Sequence, residues 1–189
     1  MIVLGSYALG RHGYFYPDGS IITIPAAGTG SVAGASSRTN KPDPTDPLYI
    51  NLGACDDWQD DIKTLGDEKI YKPSPGLRQL YQIIEKGAEG SVKYTSQEMQ
   101  AFAAQVFYRT SQKLTQVGGT QQFNPISAPP MNGWFHQECY DQSNNFAFSF
   151  DTYGLIRITG GMASKEGGIV KPMFEINMLY STLNTGAVA

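Results

Sequence analysis

The strongest constraint on the fold is a strict alternation of residue types in the final third of the sequence. In residues 146–151, FAFSFD, every second residue is phenylalanine, and Ala147, Ser149 and Asp151 lie between them. Successive side chains of a strand point to opposite faces, whereas side chains of a helix return to the same face about every 3.6 residues. The segment is therefore predicted to be an antiparallel strand with one buried face.

Neighbouring segments follow the same pattern. Residues 133–140 are a strand candidate that leads into the turn-rich stretch DQSNN. Residues 153–161 continue the strand that begins at residue 146. A last strand over 169–180 begins near Pro172, which indicates an edge or a bulge. Its four apolar residues on one face are Phe174, Ile176, Met178 and Tyr180, and Glu175 and Asn177 lie on the other face.

Earlier segments add shorter strand candidates at 20–25, 48–53 and 90–95, and residues 77–84 fit either a strand or a helical turn. The chain has 189 residues with 21 Gly, 11 Tyr and 11 Pro, which favours strands and tight turns in one domain. We predict a mainly β fold, an antiparallel β-sandwich or barrel, over residues 1–189.

One helix is predicted, at about 95–110. Thr95 and Glu98 have capping-box spacing, and Arg109 with the Gly118–Gly119 pair marks the end. An apolar stripe at helical spacing predicts a helix that packs on the sheet. Its members are Met99, Phe102, Ala103, Val106 and Phe107.

Residues 1–47 differ from the rest, because residues 26–47 are rich in Gly, Pro and small polar residues. We predict a long N-terminal arm or loop without a core of its own. The aromatic cluster Tyr14, Phe15 and Tyr16 lies on this arm. It is expected to pack on its own domain or, alternatively, on a neighbouring subunit, since large aromatic residues anchor interfaces.

The residues do not predict a catalytic site. His136 and Glu138 share a strand face and can pair, but Cys139 points to the opposite face and no GxSxG motif supplies a nucleophile. A structural role for His136 is the preferred interpretation. Both cysteines, Cys55 and Cys139, are predicted to be buried free thiols.

Cofactor and metal sites are not predicted either. Gly28, Gly30 and Gly34 have the spacing GxGxxxG and are followed by prolines rather than a helix, unlike a dinucleotide-binding loop. The acidic segment 56–61, DDWQDD, lacks the alternating carboxylates of a calcium loop and is interpreted as a solvated face.

The charge pattern argues against tight binding of nucleic acid. The formal net charge is -3, and the sequence has no run of Lys or Arg, whereas proteins that grip phosphates carry basic patches. The N-terminus has neither the basic start of a signal peptide nor a long apolar span. We therefore expect a protein of a soluble, reducing compartment that does not insert into membranes.

Residues 69–189 resemble the major tail tube protein family of long-tailed bacteriophages, to which the tube protein of type VI secretion is related. The resemblance rests on the order and spacing of four segments: KIYKPSPGLRQLYQII, SVKYTSQEMQAFAAQVF, QQFNPISAPPMNGWFHQECYDQSNN and VKPMFEINMLYSTLNTG. It implies a β-sandwich or barrel with a flanking helix that forms hexameric rings, with an arm that connects stacked rings. It also implies a virion protein that is assembled in the host cytoplasm.

The resemblance further implies partners and surfaces. The partners are other copies of the chain, a tape-measure protein, tail terminator and tail-tip proteins, and double-stranded DNA that passes without specific binding. Candidate subunit contacts are Tyr14, Phe15, Tyr16, Pro42 and Pro44. Candidate lumen-facing residues are Asp151, Glu175, Asp56, Asp57, Asp60 and Asp61.

Other functions remain open from the sequence. Another ring-forming phage part, such as a tail terminator or capsid decoration protein, or a secretion-type tube, would share the same assembly logic. A small β-fold hydrolase would use His136 and Glu138. A carbohydrate- or receptor-binding module would use Trp58 and Trp134, although both residues are equally compatible with core packing.

Overall fold

The computed structural model describes residues 10–27, 34–74, 77–85, 87–110, 124–141, 143–160 and 170–188. The described residues form nine strands and one helix, which follows the fifth strand. They are β1 (Gly10–Pro17), β2 (Ile50–Thr64), β3 (Asp67–Ser74), β4 (Leu77–Glu85), β5 (Ala88–Ser96), α1 (Ala101–Tyr108), β6 (Met131–Tyr140), β7 (Phe146–Ile158), β8 (Met173–Met178) and β9 (Thr185–Val188).

Six of the strands close into an antiparallel barrel. Their order is β6-β1-β2-β5-β8-β7, and pairing of β7 with β6 closes the ring of strands. The long strand β7 also pairs with β9 along its first half and with β8 along its second half. The predicted mainly β antiparallel barrel with one helix is confirmed, whereas β3 and β4 form a separate two-stranded sheet.

Alternate residues of the barrel strands fill its interior. Val92 and Tyr94 of β5 and Phe174 and Ile176 of β8 are buried there, as the alternation predicts. Gly133 of β6 allows close packing, because a Cβ at this position would lie 2.2 Å from the backbone oxygen of Tyr16. Both cysteines are free, and Cys139 is buried while Cys55 is partly exposed.

Helix α1 closes one end of the barrel. Phe102 packs against the rings of Phe15 and Phe174, and Ala103 and Val106 are buried beside it. The apolar stripe was therefore predicted correctly for these three helix residues, whereas Met99 precedes the helix and is 41% exposed.

The start of the helix was predicted wrongly. Thr95 belongs to β5, where it pairs with Asp57 and Met173. Its backbone is therefore part of the sheet ladder and does not start a helix with a capping box. The helix begins instead at Ala101, without a side-chain cap. It ends where predicted, at Arg109, which adopts left-handed backbone, and the Gly118–Gly119 pair lies outside the described residues.

The predicted arm or loop is wrong for residues 10–17, whereas residues 18–27 and 34–47 contain only turns, bends and isolated bridges, as expected of a loop. Residues 10–17 are strand β1, between β2 and β6, and Phe15 and Tyr16 are 0% exposed. The alternative that this aromatic cluster packs on its own domain is therefore the correct one. The predicted strand at 20–25 is reduced to isolated bridges from Ile21 and Pro25.

Residues 18–27 and 34–47 fold against the outer face of β6 and β7, and we call them the N-terminal lobe. Between lobe and barrel lies a second core. Trp134 Nε1 donates a hydrogen bond to the backbone oxygen of Ser37 at 2.8 Å, and Tyr16 donates to that of Ile21 at 2.8 Å. Buried members of this core are Tyr16, Ile22, Trp134 and Tyr153.

Candidate assembly surfaces and a buried charge cluster

The pair β3–β4 forms a hairpin that continues the β2–β5 ladder past its end. The ladder reaches Thr64 and Ala88, and the hairpin resumes it with Asp67 opposite Glu85. At the junction, Gly66 and Gly87 have φ of 112° and 134°, which glycine adopts readily. These two glycines separate the hairpin from the barrel sheet.

Apolar side chains of the hairpin are exposed on both of its faces. Cross-strand partners share a face, so Tyr71 and Leu80 lie with Ile83 on one face, while Ile70 and Ile84 lie on the other. A register shift lies between Ile70 and Tyr71, and the cross-strand partners on either side of it still share a face. These five side chains are between 38% and 52% exposed, which makes the hairpin an apolar surface open to water on two sides.

A second surface is formed by the outward-pointing side chains of β2, β5, β8 and the end of β7, and we call it the polar face. Buried Val92 and Ile176 point inward, so the side chains between them point outward. Registered partners place these residues on one face: Asp57, Gln59, Asp61, Lys63, Glu89, Ser91, Lys93, Arg157, Glu175 and Asn177.

The charges of the polar face nearly cancel. It carries four carboxylates and three cations, one negative charge in excess. Arg157 Nε donates to Glu175 Oε2 at 2.8 Å, and Lys63 Nζ lies 2.7 Å from Asp61 Oδ2. Such exposed pairs contribute little to stability, and the face offers no excess of positive charge to a polyanion.

A buried charge cluster lies where the N-terminal lobe meets β6 and β7. Lys41 Nζ donates to Asp151 Oδ2 at 2.7 Å, and His136 Nδ1 lies 2.6 Å from Asp151 Oδ1. Thr185 Oγ1 of β9 lies 2.7 Å from Lys41 Nζ and 3.2 Å from Asp151 Oδ2. His136 Nε2 lies 3.3 Å from Glu138 Oε1. The cluster therefore connects the lobe to β6, β7 and β9.

The ions of this cluster stabilise one another. Burial lowers the pKa of His136, but the hydrogen bond and charge of Asp151, followed by those of Glu138, raise it above its ordinary value. Burial raises the pKa of Asp151, but His136 and Lys41 hold it below its ordinary value. Both pKa shifts therefore favour the charged forms, the imidazolium of His136 and the carboxylate of Asp151.

The contacts of His136 differ from those of a catalytic triad. Asp151 orients Nδ1 as a triad acid does, but Nε2 faces the carboxylate of Glu138 instead of a hydroxyl or thiol nucleophile. The rings of Tyr14 and Tyr49 pack against the imidazole, with centroids 5.9 and 6.1 Å away. The sequence predicted the pairing of His136 with Glu138, and it missed Asp151 and Lys41.

Asp151 was predicted to face a lumen, and this prediction is wrong for the described chain. Its side chain does point out of the barrel, but the N-terminal lobe covers it and leaves the residue 8% exposed. Glu175, Asp57 and Asp61 lie on the polar face.

The remaining acidic candidates lie elsewhere. Asp60 pairs in register with inward-pointing Val92 and accepts a hydrogen bond from Trp58 Nε1 at 2.6 Å, so it faces the open end of the barrel. Asp56 lies at a bulge of β2 and binds Lys171 at 2.8 Å. The acidic segment is therefore part of a strand whose carboxylates point in different directions.

The candidate contact residues are largely internal to the single chain. Phe15, Tyr16 and Pro42 are buried, and Tyr14 and Pro44 are half-buried. This placement corrects the prediction that Phe15, Tyr16 and Pro42 contact a neighbouring subunit, because their surfaces are already covered by the barrel and the lobe.

Within the described residues, no three or more His, Cys, Asp or Glu side chains are grouped to hold a metal ion. The same residues contain no helix long and apolar enough to cross a membrane. No protein-family model matches the chain, and a search of the curated proteins finds no match.

Proposed function

We propose that the chain is a structural subunit that assembles with copies of itself into stacked hexameric rings, the tail tube of a long-tailed bacteriophage. The observation that carries this proposal is the β3–β4 hairpin, with apolar side chains exposed on both faces. The resemblance of residues 69–189 to the tail tube family supports the same function.

The hairpin favours self-assembly for a physical reason. An isolated two-stranded hairpin is only marginally stable in water, because neither face is covered. Burial of Ile83 on one face and Ile70 on the other would stabilise an assembly by about 25 cal/mol per Å² of apolar surface removed from water. Burial of both faces requires contacts on two sides, which neighbouring copies in a ring and in the next ring supply.

The polar face suits the lining of the channel. Four strands side by side present mixed charges with one negative charge in excess. A basic lining would attract DNA phosphates, and this attraction would accumulate ring by ring and slow the passage of the genome. In this proposal Asp61 and Glu175 face the lumen, and the tape-measure protein occupies it before DNA does.

Electron microscopy of the purified protein tests the proposal. We expect hollow tubes of uniform width once the concentration is raised. Leu80→Glu and Ile70→Glu, one on each face of the hairpin, should abolish tubes, because a carboxylate buried at an apolar interface is strongly unfavourable. Ile126→Glu is the matched control, since Ile126 is 79% exposed and lies outside the hairpin.

Other outcomes decide between the alternatives. Isolated rings that never stack would favour a tail terminator, and binding to capsids without rings would favour a decoration protein. Monomers at every concentration and salt would overturn self-assembly. Tubes that form normally with both hairpin substitutions, in protein whose circular dichroism is unchanged, would overturn the role of the hairpin.

A further inference from the structure

Lys41 and Asp151 form an ion pair that is set apart by its burial. Two exposed pairs have nearly the same separation: Lys63 Nζ lies 2.7 Å from Asp61 and Lys171 Nζ lies 2.8 Å from Asp56. In the Lys41–Asp151 pair the side chains are only 6% and 10% exposed, against 44% and 35% in the Lys171–Asp56 pair. Water is therefore largely excluded from one of these pairs and surrounds the others.

We propose that Lys41 and Asp151 are the site of an intramolecular isopeptide bond, formed by condensation of the Lys41 amine with the Asp151 carboxyl group and release of one water molecule. The two side chains are held in contact across 110 residues of sequence. Fixing an amine beside a carboxyl group converts a bimolecular reaction into an intramolecular one, which raises its rate greatly.

The first step is a proton transfer within the pair. Lys41 Nζ lies 2.7 Å from Asp151 Oδ2, so its ammonium proton moves to that oxygen and leaves a neutral amine beside a neutral acid. Burial favours this neutral pair, because low-polarity surroundings disfavour both charges. The hydrogen bonds of the cluster favour the ion pair instead, so the neutral pair is the minor state and the condensation is slow.

The second step joins nitrogen to carbon. The lone pair of Lys41 Nζ attacks Asp151 Cγ, and the carbonyl electrons move to Oδ1. His136 Nδ1, 2.6 Å from Oδ1, donates a hydrogen bond to the negative charge that develops there. His136 keeps its proton throughout and acts as an electrostatic partner.

The third step releases water. Thr185 Oγ1 contacts both reacting groups, at 2.7 Å from Lys41 Nζ and 3.2 Å from Asp151 Oδ2. Its hydroxyl takes a proton from the new C–N nitrogen and passes its own proton to the Oδ2 hydroxyl. The Cγ–Oδ2 bond then breaks, water departs and the carbonyl re-forms. The reaction consumes no oxidant, reductant or cofactor.

The bond would fasten the N-terminal lobe covalently to β7. Lys41 lies in the lobe, and Trp134, whose ring centroid is 5.7 Å from Lys41 Nζ, covers it from the barrel side. Both cysteines are free thiols, so this cross-link would provide the constraint on the unfolded chain that disulfides provide in other proteins. The proposal concerns the single chain and does not depend on assembly into tubes.

Mass spectrometry of the intact full-length protein tests the bond. After prolonged incubation at physiological temperature, the wild-type mass should fall by one water molecule. Trypsin spares the bond between Lys41 and Pro42, so digestion should yield residues 39–63 joined to residues 114–157, with fragment ions that place the link at Lys41 and Asp151.

Variants separate this site from simple proximity. Lys41→Arg keeps the positive charge but replaces the amine with a guanidinium, so the mass should stay at the full value. Lys171→Arg is the matched control in an exposed pair and should leave the cross-link in place. Thr185→Val should slow the conversion, and an unchanged rate would overturn the proton transfer assigned to Thr185.

The wild-type digest decides the proposal even where a variant does not fold. Complete recovery of residues 39–63 and 114–157 as separate peptides after incubation would overturn it. A loss of water that persists in folded Lys41→Arg would overturn it as well, because the link would then lie elsewhere.

Discussion

The pairs β6–β7 and β3–β4 are both antiparallel and rich in apolar residues, yet they differ in burial. In β6, Phe135 points into the barrel and Trp134 points into the N-terminal lobe, and both are 0% exposed. In β3–β4, every side chain that the structure describes is exposed, including Leu80 and Ile83.

The difference shows that coverage, rather than strand sequence, separates a core from an exposed apolar surface. The middle parts of β6 and β7 lie between the barrel interior and the lobe, so both of their faces are covered there within one chain. The hairpin extends beyond the barrel end, where the described chain offers nothing to cover it on either face. An apolar surface left open in this way is typical of a protein–protein contact.

Truncation of the inner side chain of β6 should give the largest effect. We expect Phe135→Ala to lower the free energy of unfolding by about 3–5 kcal/mol, because it removes a buried aromatic ring and leaves a cavity. Urea denaturation of the monomer measures the change. A loss below about 1 kcal/mol would mean that β6 is not covered on its inner face.

A side chain added to β6 should also destabilise the barrel. A Cβ at Gly133 would lie 2.2 Å from the Tyr16 backbone oxygen and 2.8 Å from the Phe15 ring. We expect Gly133→Ala to lower the free energy of unfolding by about 1–3 kcal/mol through overpacking. Gly19→Ala is not a suitable control, because Gly19 has positive φ; Gly186→Ala, where the nearest atom is 3.6 Å away, serves instead.

The buried charge cluster should make the covered region pH-dependent in a defined direction. The pKa of His136 is raised in the folded chain, so its contribution is full below its ordinary pKa of 6.5 and is lost as the pH rises through the folded pKa. Asp151 acts oppositely, because its pKa is lowered in the folded chain. Its contribution to stability is full above its ordinary pKa of 3.8 and is lost as the pH falls through the lower folded pKa.

Urea midpoints measured from about pH 6 to about pH 9 should therefore decrease with pH around the His136 transition. His136→Gln keeps hydrogen-bonding capacity without titrating, and it should flatten this part of the profile. The same decrease in His136→Gln would show that another group is responsible.

Substitution in the hairpin should give the smallest change in monomer stability. We expect Ile83→Ser to alter the free energy of unfolding by less than about 0.5 kcal/mol in dilute solution, since Ile83 is 52% exposed. Ile176→Ser in β8, where the side chain is 0% exposed, is the matched comparison and should be far more destabilising. Equal effects at the two positions would remove the contrast between core and hairpin.

Much of the barrel could be predicted from local pattern. Alternation located β7 and β8 and assigned Phe174 and Ile176 to the interior, and helical spacing identified the buried face of α1. The start of α1 was missed because Thr95 fits either a cap or a strand end, and pairing with Met173 decided for the strand. Cross-strand pairing is a long-range interaction that local spacing does not contain.

The candidate sites were predicted less completely. His136 and Glu138 are two residues apart, so their pairing followed from strand geometry. Lys41 lies in a Pro-rich segment with no periodic pattern, and 110 residues separate it from Asp151. Alternation correctly directed Asp151 away from the barrel interior, but it contained no information about the lobe that covers this face.

The sequence by itself determined that the chain is mainly β, because alternation at a period of two is a local property of each strand. It also determined the direction of most barrel side chains. Only the tertiary structure decided which outward faces are covered: the lobe buries Asp151 and Trp134, while the hairpin and the polar face stay open. Coverage depends on segments distant in sequence, and burial is a property of the surfaces they bring together.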